Sequence, residues 1–170
     1  LTTDNETSLA GPPSSVTDAA SSAAKTKKQE GKWVIMNTRS SIDPFLTYAD
    51  DRSLREKAWR MFINRGDNGD KNDNNAIITE ILQLRAERAA ILGDKTHAHW
   101  RLENTMAKKA KKTLELMEAV WKPAVVTVKQ EVADMQALAR KTDPTFTVGP
   151  WDYKYYAEKV RKDKYDLDQN

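Results

Sequence analysis

The 170 residues carry 28 Lys and Arg against 25 Asp and Glu, a net charge of only +3, and no cysteine. A chain of this length makes one domain; its interspersed charges read as solvated helix surface, so no nucleic-acid partner is expected. Without cysteine there is neither a disulfide framework nor a thiolate metal cage, and no apolar run approaches the roughly 20 residues that span a bilayer, so no membrane partner is expected.

Residues 1–30 are rich in Ser, Thr, Ala and Asp, with Leu1, Leu9 and Val16 as larger apolar anchors. Such a composition buries too little surface to offset backbone entropy, so the segment reads as a polar, flexible tail. Its opening has neither the basic start nor the apolar centre of a signal peptide, and the lack of an initiator Met suggests a processed or excised product. Ala19, Ala20, Ala23 and Ala24 leave a short helix over 15–28 open. From Gly31 the character changes, and residues 31–170 read as a helical segment. Trp33-Val34-Ile35-Met36 predicts one strand, with Asp43-Pro44 as a turn beyond it. A strand needs a partner and the sequence offers few, a first sign of missing material.

Helices then dominate. From Asp51, the positions Leu54, Ala58, Met61 and Phe62 fall on one helical face, and Arg65-Gly66 ends the run. The Asp- and Asn-rich stretch 66–74 resembles a calcium loop, but Asn75 stands where the acidic ligand six positions after Gly69 is required, so it reads as a polar loop. A second helix over 75–92 has Ile77, Ile78, Ile81, Leu84 and Leu92 as its stripe and Gly93 as its stop. A third begins near Thr96 as cap and carries Trp100, Leu102 and Met106. From Thr113, Leu114, Met117, Trp121, Ala124, Val128, Val132, Met135 and Leu138 recur at threes and fours, which predicts core packing between antiparallel helices, with a kink at Pro123. Phe146-Thr147-Val148 reads as a short extended piece. A last helix follows Gly149-Pro150-Trp151, with Asp152 as its cap and Tyr156 and Val160 inward. The class is therefore mainly α: an antiparallel helical domain with one or two short isolated strands.

Catalytic chemistry is hard to find. His97 and His99 are the two histidines; two apart on a helix, they point to different sides, and no cysteine or nearby carboxylate completes a ligand set. No metal ligand is therefore expected. Nucleophile elbows, phosphate-binding glycine loops and paired cysteines are absent. The basic clusters Lys25, Lys27, Lys28 and Lys108, Lys109, Lys111, Lys112 read as solvated faces.

Several stretches nevertheless carry a family likeness: Leu9-Ala10-Gly11 with a following Pro, Glu30-Gly31-Lys32-Trp33-Val34, and Tyr48-Ala49-Asp50-Asp51-Arg52-Ser53-Leu54-Arg55-Glu56-Lys57. Leu84-Arg85-Ala86-Glu87-Arg88, Leu92-Gly93, Met106-Ala107-Lys108, Trp121-Lys122-Pro123-Ala124 and Pro150-Trp151-Asp152-Tyr153 continue it. Tyr155-Tyr156-Ala157-Glu158-Lys159-Val160-Arg161-Lys162 and Lys164-Tyr165-Asp166-Leu167-Asp168 close it. In this order and spacing, over about residues 8–170, they resemble the thimet-oligopeptidase family of zinc metallopeptidases, specifically its bacterial peptidyl-dipeptidase branch.

The resemblance implies a much longer, largely helical enzyme split by a deep channel, which removes dipeptides from the free C-terminus of short peptides. It implies a zinc ion on a His-Glu-x-x-His helix, with a further Glu as third ligand; the zinc acidifies a water and the motif's Glu takes its proton. His97 is followed by Ala98 and His99 by Trp100, so the motif is absent, and in the family its helix lies downstream of this region. No catalytic or metal role can be carried over, no substrate-binding residue is assigned, and the segment alone is expected to be inactive and zinc-free. Its expected partners are the remainder of the peptidase and, in the whole enzyme, short peptides; the compartment stays open between cytoplasm and periplasm. Three departures stand out: Asp94 replaces an aromatic residue, Lys109-Ala110-Lys111 replaces a Thr-Pro-Glu helix start, and Pro12-Pro13 replaces Leu-Pro. Losing that cap costs about 1 kcal/mol and lets two helices run together. The alternative from another class is a stand-alone helical interaction module without catalysis.

Overall fold

The computed structural model describes residues 1–166; Leu167 and Asp168, which end the resembling stretch, lie outside the described residues. Among the described residues are seven α-helices and one two-stranded sheet, and the chain divides into two compact units.

The first unit takes Leu1–Arg65 and the chain from Gln130 onward. Residues 1–30, expected to be a loose tail with a short helix over 15–28 open, carry a strand β1 (Thr2–Thr3), a 3-10 turn (Glu6–Leu9) and, at the place of that open helix, α1 (Ser14–Thr26). The strand expected at 33–36 is shorter, β2 (Trp33–Val34), and pairs antiparallel with β1, Thr2 opposite Val34 and Thr3 opposite Trp33. Its partner thus comes from the supposed tail. The physical reason is placement rather than quantity of apolar surface. Leu9 and Ala20 join Ile35, Ile42, Phe45, Leu46, Ala49 and Ala58 in one buried cluster, where the small side chain of Ala20 lets α1 lie close.

Residues Asp43 and Pro44 do not make the expected turn. They sit inside a helix α2 (Arg39–Tyr48), although Pro44 cannot donate to the helix ladder. An interior proline costs about 3 kcal/mol. Full burial of Ile42, Phe45 and Leu46 on one face of α2, at about 1.5–3 kcal/mol each, outweighs it. Helix α3 (Arg52–Ile63) follows the expected course, and Asp51 caps it by accepting from Leu54 N–H at 3.0 Å.

The second unit, Gly66–Lys129, holds the polar loop, α4 (Asn75–Ile91), α5 (His97–Leu102) and most of α6 (Ala110–Arg140), whose last residues belong to the first unit. Carboxylates of the loop are turned onto backbone amides: Asp73 accepts from the N–H groups of Gly69 and Asn75, each at 2.8 Å, and Asp70 from that of Asn72 at 2.8 Å. Gly93, at φ +78°, ends α4, and the next N–H, from Asp94, reaches back to Ala89 C=O at 2.8 Å. Because α5 stops at Leu102, Met106 lies outside it and is fully exposed.

The apolar stripes correct another expectation. Along α4 and at its C-cap, Ile77, Ile78, Ile81, Leu84 and Leu92 are all exposed, and Ala89 is the buried residue of that helix. Along α6, Leu114, Met117, Trp121, Val128 and Val132 are exposed, while Met135 and Ala139, near its end, are buried. The stripe of α6 is therefore core only in the first unit. Pro123 lies within α6, which continues to Arg140.

After α6 the chain turns at Asp143, whose carboxylate accepts from Thr145 N–H at 2.9 Å. The extended 146–148 piece has a side chain in place of a partner strand: Gln136 Nε2 donates to Phe146 C=O at 2.7 Å and its Oε1 accepts from Val148 N–H at 3.0 Å. A 3-10 turn (Pro150–Asp152) packs on α3, and α7 (Tyr153–Tyr165) packs on α2. No helix among the described residues is long and apolar enough to cross a membrane.

Candidate functional site

The strongest concentration of charge chemistry lies in the first unit, where the turn before α7 meets α3. Gly149 N–H donates to Asp152 Oδ2 at 3.0 Å, and this folds the carboxylate back over its own turn. Asp152 was expected to cap α7; it holds the N-cap position but makes no side-chain bond to that helix. Its oxygens are taken by α3 instead. Arg52 donates to Oδ2 from Nη2 at 2.9 Å and from Nε at 3.0 Å, and Arg55 donates from Nη2 to Oδ1 at 2.8 Å. Two arginines three apart on one helix share a face, which is why both reach one carboxylate.

The arginines also tie down their surroundings. Arg55 Nη1 donates to Ala49 C=O at 2.6 Å and Asp50 C=O at 3.0 Å, closing the carbonyl end of α2, while Arg52 Nη2 reaches Thr147 C=O at 2.9 Å. Each guanidinium stacks on a ring, Arg55 over Tyr155 at 4.0 Å and Arg52 over Phe146 at 4.4 Å. Tyr155 Oη donates to Asp50 Oδ1 at 2.7 Å. Asp152 is 0% exposed and Arg55 2%. Burial alone would push the Asp152 carboxyl up, but the bonds from Arg52, Arg55 and Gly149 outweigh it and hold the group below its ordinary 3.8. Burial, then the bond to Asp50, pushes the Tyr155 phenol far above its usual range. A carboxylate this enclosed, ionised and fully bonded has no lone pair free to take a proton from a substrate. What it does is join the end of α2, the start of α3 and the entry to α7.

Surface features add no catalytic set. A shallow cleft of about 200 Å³ is lined in part by Gly11, Thr47, Asp50, Tyr155, Glu158 and Lys159, and both its acids are held, Asp50 by Tyr155 and Glu158 by Arg161. In the second unit, a groove of about 480 Å³ is lined by Leu114, Leu116, Met117, Glu118, Val120, Trp121 and Ala124 of α6. Lys25, Lys27, Lys28, Lys108, Lys109, Lys111 and Lys112 are exposed.

The histidines do not converge on an ion. His97 Nδ1 lies 3.2 Å from Arg88 Nη2, and its ring packs on Trp100 with centroids 5.5 Å apart. Desolvation, then the charges of Arg85, Arg88 and Arg101, lower its pKa, an environment that also repels a metal cation. His99 Nδ1 contacts Thr96 Oγ1 at 2.8 Å, and that hydroxyl caps α5 by accepting from His99 N–H. No group of three or more His, Cys, Asp or Glu able to hold a metal is found among the described residues. Zinc, implied by the resemblance, therefore does not fit the residues described.

Sequence reasoning missed Arg52 and Arg55. A signal was there: Arg55 falls on the face of Ala58 and Phe62, three and seven positions on, and a charge on an apolar stripe calls for a buried counter-charge.

Comparison with known proteins places these residues in context. The sequence model of Peptidase family M3 matches residues 45–170, which include Arg52, Arg55 and Asp152. The dipeptidyl carboxypeptidase of Escherichia coli K12 is 35% identical over 150 residues, covering 88% of this chain and 22% of the relative. Oligopeptidase A of Salmonella typhimurium is 35% identical over 171 aligned positions, covering 98% of this chain and 25% of the relative. The dipeptidyl carboxypeptidase of the same Salmonella is 32% identical, covering 99% and 25%. The chain thus spans about a quarter of the length of the curated relatives it matches.

Proposed function

Since the chain belongs to peptidase family M3, we propose that it is the scaffold share of a zinc peptidase that removes C-terminal dipeptides from oligopeptides, and that it forms wall rather than catalytic centre. The observation that carries this is the alignment: nearly all of this chain matches about a quarter of relatives named as dipeptidyl carboxypeptidase and oligopeptidase A. The enclosed Asp152 cluster supports a structural role, since its groups are engaged with one another. The zinc and its ligands belong to the other three quarters of such a protein.

A chimera tests the function. This chain replaces the matching quarter of the Escherichia coli dipeptidyl carboxypeptidase, and release of dipeptides from an unblocked oligopeptide is followed by mass spectrometry. The expected result is chelator-sensitive release by the chimera. A soluble, zinc-loaded chimera that leaves the peptide intact would overturn it. One observation favours a second reading, a stand-alone helical interaction module: the exposed stripe of α6. That reading requires a defined monomer or dimer with a cooperative melt, where the scaffold reading expects open-ended self-association of the chain on its own.

A further inference from the structure

Resting on the scaffold reading above, we propose that the apolar face of α6 in the second unit is the surface against which the rest of a family M3 peptidase packs. Three observations lead there. Leu114, Met117 and Trp121 are 58%, 60% and 69% exposed. At about 100° per residue, Leu114, Met117, Trp121, Ala124 and Val128 fall within one narrow sector of the helix. A contiguous patch of this kind is uncommon on a soluble monomer and marks a contact surface. The patch is also a groove of about 480 Å³ with Glu118 as its one acidic lining residue, so it suits an apolar occupant.

The third observation identifies the occupant. The stripe lies inside the family match over residues 45–170, so relatives have counterparts for it. About three quarters of the length of each relative lies outside the aligned part. That length is polypeptide of the same enzyme, held beside this segment by covalent continuity. Ridges of side chains at threes and fours along α6 form a surface into which the apolar ridge of another helix fits.

Thiol labelling tests this, since the chain has no cysteine of its own. Met117→Cys puts a probe on the stripe, and Glu115→Cys puts one on another side of the same helix. Each is compared in the dilute chain alone and in the Escherichia coli chimera, by mass spectrometry of the peptide that holds it. The expected result is fast labelling of both in the chain alone, with residue 117 slowed about tenfold or more in the chimera and residue 115 little changed. Equal labelling of residue 117 in both would overturn the proposal. So would slow labelling in the dilute chain, which would mean that the chain covers its own stripe. Slowing that appears only at high chain concentration, with fast labelling in the chimera, would assign the face to a second copy instead. A variant of the chain alone gives an independent arm. Met117→Asp with Trp121→Asp is expected to leave helicity and melting nearly unchanged, and loss of folding would show the face to be internal core. A chimera that protects residue 117 without releasing dipeptides sinks the proposed activity and leaves the surface standing; an active chimera with residue 117 exposed does the reverse.

Discussion

Asp152 and Arg55 are charges taken almost wholly out of water, at 0% and 2% exposure. Such a pair contributes modestly while intact, but removing one partner strands the other, at a cost of about 3–5 kcal/mol. Asp152→Ala is therefore expected to lower unfolding stability by that amount in a urea titration. Arg52→Ala should cost less, because its side chain is 44% exposed and water can replace part of what is lost. The pH dependence follows from the sign of the shift. The folded Asp152 carboxyl lies below its ordinary 3.8, so its contribution is full above that value and is lost as pH falls through the folded one. Stability measured from pH 6 down to pH 2 should fall below about pH 4, and Asp152→Asn should flatten that part of the fall that belongs to this group. The sequence assigned Asp152 to a helix end, and that much is right. Its true partners lie 97 and 100 positions away, and no local pattern reports a bond of that reach.

At the scale of elements, the legible parts were those whose signals are local. Helix α3 starts beside Asp51, where its apolar run begins in the sequence, Gly93 stops α4 and Thr96 caps α5, each through bonds within a few residues. Local signals misled where tertiary burial outbid them. The Asp43-Pro44 turn lost to the buried face of α2, and the supposed tail was captured by a few well-placed contacts. Gly11 shows how tight that capture is. It sits at φ +97°, and a Cβ there would lie 2.2 Å from Tyr48 C=O, next to where Asp50 N–H donates to Ala10 C=O. Gly11→Ala is expected to lower the melting temperature by several degrees. Gly31→Ala, at φ +80° with open space around the new methyl, should show the smaller cost of backbone strain alone. Pro123 offers the opposite prediction. It withholds one donor inside α6, so Pro123→Ala should raise helicity by circular dichroism and stabilise the helix by about 1–3 kcal/mol.

For the whole molecule, the two units differ in how much of their sequence is spent on themselves. The first buries a compact cluster and locks it with Asp152. The second leaves most of the apolar residues of α4 and α6 uncovered. Periodicity located those stripes correctly but could not say what covers them, since amphipathic spacing is the same whether the partner is intramolecular or not. The chain belongs to family M3 and spans about a quarter of its relatives, and the scaffold proposal assigns the uncovered faces to contact with the rest of such a protein. The chain by itself is expected to self-associate, seen as a concentration-dependent mass in light scattering. The central claim is that hydrolysis resides outside these residues and architecture within them. Its most direct measurement is zinc content together with peptide turnover of the purified chain. The expected result is no stoichiometric zinc and an intact peptide; one firmly held zinc per chain, with dipeptide release that a chelator stops, would contradict it.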